Sequence, residues 1–212
     1  PNARVAYIAP TYRQAKSVAW DYLKQFAGKI PGARFHETEL RCDLPNGSRI
    51  QLLGAETPDS LRGIYLDFAC MDEVADMPET LFPEIIRPAL SDRKGSALFI
   101  GTPRGHNAFF DLYEAAKNEK DWYTAVFKAS ETGIVDMEEL EAARTMMSQD
   151  QFDQEFECSW VANVPGAIYG KEMQAAMEDG RITDVPVDVG HRVDTYWDLG
   201  TVSYTHLTLP TN

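Results

Sequence analysis

The chain has 212 residues, 44% hydrophobic and 25% charged, with 33 acidic against 20 basic side chains for a formal net charge of −13. That composition suits one domain, or one domain and part of a second, around a real core, and it excludes wholesale disorder. The acidic balance excludes passive coating of DNA, which relies on many Lys/Arg–phosphate contacts, so any DNA contact needs a local patch or a larger assembly.

Three widely spaced cysteines (Cys42, Cys70, Cys158) argue against a disulfide framework or zinc knuckle. No apolar run approaches the ~20 residues needed to cross a bilayer. No signal peptide opens the chain. The first residue is Pro1 rather than Met, from which we expect the chain to begin inside a longer protein.

Residues 5–9 (VAYIA), closed by Pro10, predict a buried strand. From Tyr12 to Phe26, Ala15, Val18, Ala19, Tyr22, Leu23 and Phe26 recur at helical spacing, and Gly28 ends the helix. Leu40, Cys42 and Leu44 alternate with polar residues, Asn46-Gly47 supplies a tight turn, and Ile50 and Leu52 alternate on the return, which predicts a hairpin. After the polar segment 59–63 (DSLRG), residues 64–71 (IYLDFACM) predict a second buried strand ending on Asp72-Glu73.

Residues 78–90 predict a helix with Leu81, Phe82, Ile85 and Ile86 on one side. A third strand, 96–100 (SALFI), ends on Gly101-Thr102-Pro103. Helical spacing returns over 106–116, strand-like alternation over 122–129, and two acidic helices are expected over 137–147 and 149–158. Glycines and prolines then punctuate a linker with a short helix near 173–177, and 193–197 begins another strand closed by Asp198-Leu199-Gly200.

Apolar strands separated by helices predict an α/β fold with a mostly parallel sheet covered on both faces, where ligands sit at the carboxyl ends of the strands. Three strand ends carry polar residues there. Asp72-Glu73 has the pattern of a Walker B motif, which needs one carboxylate for Mg²⁺ and one to accept a proton from, or orient, the attacking water. For both to reach one nucleotide the strand must end and bend at this point, because adjacent strand residues point to opposite faces. The alternative is a strand leaving to solvent through two acids. Thr102, flanked by glycines that permit close backbone approach, can reach the phosphate side, or belong to an ordinary turn.

The succession APTYRQA, SLRG, MDEVADMP, ALFIGTPRG, DQFDQEFECSW and YWDLG, across residues 4–200, resembles the terminase large subunits of tailed phages. The resemblance implies a P-loop NTPase-like three-layer sandwich over residues 1–160, a linker over 161–190, and over 191–201 the start of an RNase H-like nuclease domain. It implies ATP and Mg²⁺ as cofactors of the ATPase, and Mg²⁺ or Mn²⁺ for the nuclease. By matching position, Asp72 resembles the metal-binding Walker B aspartate, Glu73 the catalytic glutamate and Thr102 the coupling residue. Arg62 matches the arginine of the SLRG segment, either as a finger acting in trans or as a structural ion pair with Asp59 or Asp67. Asp198 resembles the first metal-binding aspartate of the nuclease. The implied partners are double-stranded DNA, a portal protein, a small terminase subunit and further copies in a ring, with no membrane, in the host bacterial cytoplasm and transiently at the procapsid portal.

Two departures accompany that resemblance. No Gly-rich phosphate-binding loop with Lys and Ser/Thr occurs in the chain. Residues 166–171 (GAIYGK) bring their glycines too close together, and Glu172 follows the Lys. Residues 202–212 (VSYTHLTLPTN) resemble translated sequencing-adapter read-through rather than the family's next strand. The competing readings are a helicase-like DNA translocase and a non-catalytic α/β interaction module.

Overall fold

The computed structural model describes residues 1–160, 172, 175–177 and 179–182. Clustering divides the chain into units Pro1–Gly166 and Ala167–Asn212. In the first unit six strands form one sheet in the order β2-β3-β4-β1-β5-β6, comprising β1 (Arg4–Ala9), β2 (Arg34–His36), β3 (Arg41–Asp43), β4 (Arg49–Gly54), β5 (Phe68–Met71) and β6 (Ser96–Phe99). β4, β1, β5 and β6 run parallel, and β2 and β3 add an antiparallel flank. The predicted hairpin is β3–β4, with Cys42 opposite Ile50 and Gly47 at φ +81° in the turn. β2 was not foreseen, since three residues are too few to show a period.

Alternation along β1 sends its residues to two cores. Ala6 and Ile8 join Ala69, Met71, Leu81, Ile86 and Leu90, while Tyr7 and Ala9 join Ala15, Trp20, Leu40 and Leu52. Helices cover both faces, giving the expected three layers. On the first face lie a π turn (Phe82–Ile86) and α3 (Arg87–Ser91). Pro83, inside the π turn, and Pro88, in α3, each lack an amide donor, and the wider turn falls where the regular helical bonds are interrupted.

On the other face lies a helical run of α1 (Tyr12–Ala15), a second π turn (Lys16–Trp20) and α2 (Asp21–Ala27). Of its apolar residues, Ala15, Trp20 and Ala27 are buried, whereas Val18, Tyr22 and Phe26 are exposed. The π turn rotates the inward face, so the apolar spacing covers two sides of the helix rather than one. Trp20 donates its indole N–H to Glu37 at 2.7 Å and meets Phe35 edge-on.

The strand expected over 122–129 is absent. Those residues have no ladder partner among the described residues; the segment has no regular secondary structure until α5 (Ala129–Thr132). Trp122 instead stacks its ring on Phe99, with centroids 5.7 Å apart, and Tyr123 and Phe127 are exposed. α4 (Ala108–Ala116) starts at Asn107, whose side chain accepts from the amides of Phe109 and Phe110. The acidic stretch forms α6 (Met137–Met146) and α7 (Gln149–Glu155), the latter opened by a Ser148–Gln151 capping box. Leu140 and Phe152 face inward there.

Candidate active site at the strand ends

The carboxyl ends of β1, β4, β5 and β6 lie side by side because the four strands are parallel and in register. Backbone hydrogen bonds continue past the last paired residues. Asp72 N–H donates to Ile8 O at 2.8 Å, Ile100 N–H to Met71 O at 2.9 Å, and Val74 N–H to Ile100 O at 3.1 Å. The β5 and β6 exits are thereby tied to each other, and β5 to β1.

At this point the β5 strand bends as its paired acids require. Glu73 adopts a left-handed conformation, φ +56° and ψ +49°, followed by a 3₁₀ turn over Val74–Asp76. A non-glycine residue there is strained, and such residues concentrate at functional sites. Asp72 is half-buried, with Oδ1 accepting the Glu73 N–H at 3.1 Å and Oδ2 accepting the hydroxyl of Tyr7.

Glu73 is exposed, yet its surroundings still favour the protonated form. Loss of solvation raises its carboxyl pKa first, and the Asp72 charge adds to that; the amide of Thr102 and the charge of Arg104 pull the other way. Burial is also the main reason the Tyr7 phenol is pushed strongly upward, with Asp72 reinforcing it.

The β6 exit approaches this turn closely. A Cβ on Gly101 would lie 3.1 Å from Val74 N and 3.3 Å from Glu73 Cα, so glycine is what admits the approach. Thr102 follows at the same place, and Arg104 pairs with Asp76 at 3.1 Å. The structure thus brings together Asp72, Glu73 and Thr102 as the sequence predicts.

Arg62 stands apart from that group. It donates from Nε to Asp59 at 2.8 Å and from Nη2 to Glu84 at 3.4 Å, on an exposed side chain. The ion pair with Asp59 is present, whereas the one considered with Asp67 is not. Asp67 instead accepts the Arg4 amide at 2.7 Å and faces Arg93 at 3.2 Å. Asp198 lies outside the described residues.

Two participants escaped the sequence. Tyr7 is the one polar residue within the apolar run 5–9, a signal that its hydroxyl needs a partner. Glu56, after β4, accepts the Tyr12 amide with both oxygens at 2.9 Å, and fastens the β1 exit to the β4 exit. Tyr12 is accordingly occupied at a helix start, where its hydroxyl donates to Thr38 O at 2.9 Å.

Among the described residues no three His, Cys, Asp or Glu side chains gather to hold a metal on their own. Asp72 does fit a single-carboxylate site of the kind Mg²⁺ uses, completed by phosphates and waters, since each of its oxygens accepts one hydrogen bond and keeps a further lone pair.

Helices on both faces of a mostly parallel sheet, with Asp-Glu and Gly-Thr at adjacent strand ends, define an NTPase-like α/β domain. The family model described as terminase large subunit, T4likevirus-type, N-terminal, matches residues 1–174, and the chain belongs to this family. The large terminase subunit of Escherichia phage T5 is 30% identical over 166 residues, spanning 76% of this chain and 38% of that protein. The large subunit of Thermus virus P23-45 is 31% identical, over 53% of this chain and 27% of its own length. The chain therefore spans well under half of these curated relatives.

The large terminase ATPase domain of Thermus phage P74-26 superposes with a TM-score of 0.66 at 25% identity, covering 76% of this chain and 77% of that one. A large terminase from a thermophilic bacteriophage, solved in complex with ADP, shares the fold at 20% identity and a TM-score of 0.64, over 75% of this chain and 41% of its own.

Proposed function

We propose that this chain is the ATPase part of a viral DNA-packaging motor, which hydrolyses ATP to drive double-stranded DNA into a procapsid. The observation that carries this reading is the meeting of Asp72, Glu73 and Thr102 at two adjoining strand ends, in a member of the large terminase family. The large terminase of the thermophilic bacteriophage has been solved with ADP and with ATP-γ-S, which supports nucleotide binding as the business of this fold.

In this reading Asp72 holds Mg²⁺, whose chemistry is to neutralise the β- and γ-phosphates. Glu73 orients the attacking water and takes its proton; its raised pKa makes it a better base than an ordinary glutamate. Ile100 O accepts the amide of Val74 and Gly101 packs against the Glu73 backbone, so movement at the end of β6 moves the base, and this link is the physical content of a coupling role for Thr102. Arg62, exposed and held by carboxylates it can leave, acts on a neighbouring copy's nucleotide in a ring. ATP binding in this reading also needs a Gly-rich phosphate-binding loop, which residues 1–212 do not contain.

The longer protein then engages a portal protein and a small terminase subunit in the host bacterial cytoplasm. Its nuclease starts over residues 191–201, with Asp198 as the first metal-binding aspartate, and uses Mg²⁺ or Mn²⁺ to cut concatemers. One aspartate cannot hold the two ions that such cutting needs, so no nicking of plasmid DNA is expected from this chain alone.

The test is DNA-stimulated ATP hydrolysis by a protein that includes the phosphate-binding loop, alongside its Glu73→Ala variant. Turnover should fall about 10²-fold or more. Equal rates would make the acid pair structural and favour the non-catalytic module.

A further inference from the structure

We infer that Tyr7 is a positioning residue for Asp72, its hydroxyl fixing the carboxylate in the orientation that receives the metal; this rests on the nucleotide reading of Asp72 given above. β1 and β5 pair in parallel with Tyr7 opposite Cys70. Asp72, two residues beyond Cys70, points to the same face as Tyr7 and lies on its diagonal, within reach of a long aromatic side chain. The Tyr7 hydroxyl bridges that diagonal and donates to Asp72 Oδ2.

Asp72 is then held at three points. Its amide donates to Ile8 O, its Oδ1 accepts from the Glu73 amide, and its Oδ2 accepts from Tyr7. Two of those points belong to β1, so the strand beside the acid pair sets its geometry. Without the hydroxyl, one oxygen loses its anchor and the carboxylate is free to turn about its own bonds. Hydrogen-bond partners of metal-ligating carboxylates do this work in general, and losing one typically weakens metal affinity about 10- to 100-fold. Nothing else on β1 substitutes, because Val5, Ala6, Ile8 and Ala9 carry no polar side chain and Arg4, at the opposite end of the strand, donates to Ala3 O and Gly47 O.

The experiment measures the ADP-dependent part of Mn²⁺ binding by the longer protein, as the difference with and without ADP in the electron paramagnetic resonance signal of free Mn²⁺, which subtracts Mn²⁺ held at the nuclease, for wild type, Tyr7→Phe and Asp72→Asn. The phenylalanine keeps the ring and its packing, and thermal unfolding verifies that it folds. Tyr7→Phe should weaken Mn²⁺ by about tenfold or more, with metal-free ADP affinity unchanged. A Tyr7→Phe protein that binds Mn²⁺ like wild type while Asp72→Asn loses it overturns the role of Tyr7 and leaves Asp72 standing. Undiminished Mn²⁺ binding by Asp72→Asn overturns the nucleotide reading itself, and the role of Tyr7 with it.

Discussion

The backbone N–H of Val74 donates to Ile100 O at 3.1 Å, so the end of β6 holds the turn that follows Glu73. The amide of Thr102, two residues past Ile100, favours the charged form of the Glu73 carboxyl. A shift of the loop after β6 therefore cannot occur without moving Glu73, and the strained turn at Glu73 gives that movement somewhere to go.

Ionisation of Glu73 opposes folding. Its carboxyl pKa is raised, chiefly by desolvation and then by Asp72, so the folded protein holds the proton more tightly than the unfolded chain. The sign follows from linkage: its favourable contribution is complete below the ordinary glutamate range and is lost as pH rises through the raised value. Glu73→Gln cannot ionise and keeps nearly the same size and shape. The variant should unfold at a higher temperature than wild type at pH 8, and the gap should close below about pH 4. Thermal unfolding midpoints across that range measure it, and a glutamine variant that is less stable at pH 8 contradicts it.

Gly101 is needed for space rather than for an unusual dihedral. An added Cβ meets Val74 N at 3.1 Å and Glu73 Cα at 3.3 Å, both backbone atoms that cannot swing aside. Gly101→Ala must push the two strand exits apart, at a cost of about 1–3 kcal/mol typical of overpacking. Urea unfolding would show an earlier midpoint with an unchanged slope. The same variant should lower turnover in the longer protein, because Glu73 moves with its backbone. An unchanged midpoint would mean the exits have slack that the 3.1 Å contact denies.

The acids and glycines of this edge were legible in the sequence because each follows a short apolar run, and a parallel sheet places all such ends together. The bend after Asp72 was deducible too, since two adjacent residues on a straight strand cannot face one ligand. Tyr7 was not legible as a partner of Asp72. The two are 65 residues apart, and only the pairing register makes them diagonal neighbours. The π turn at Lys16–Trp20 was hidden for a similar reason, as a helical period averages over it and assigns Val18, Tyr22 and Phe26 to the same spacing as the buried Ala15. Residues 122–129 show the converse, where alternation without a partner strand makes no strand.

Arg62 separates stability from activity more cleanly than any other residue of the site. Its ion pairs with Asp59 and Glu84 are exposed on both sides, and exposed pairs contribute little to stability. Arg62→Ala should therefore leave the unfolding midpoint nearly unchanged. If Arg62 completes a neighbouring copy's site, the same change should cut ATP turnover of the assembled ring by about 10³-fold or more. Mixing Arg62→Ala with Glu73→Ala protein should then restore part of the activity, because each copy supplies what its neighbour lacks across one interface. Normal turnover by Arg62→Ala would reduce this residue to its ion pairs with Asp59 and Glu84.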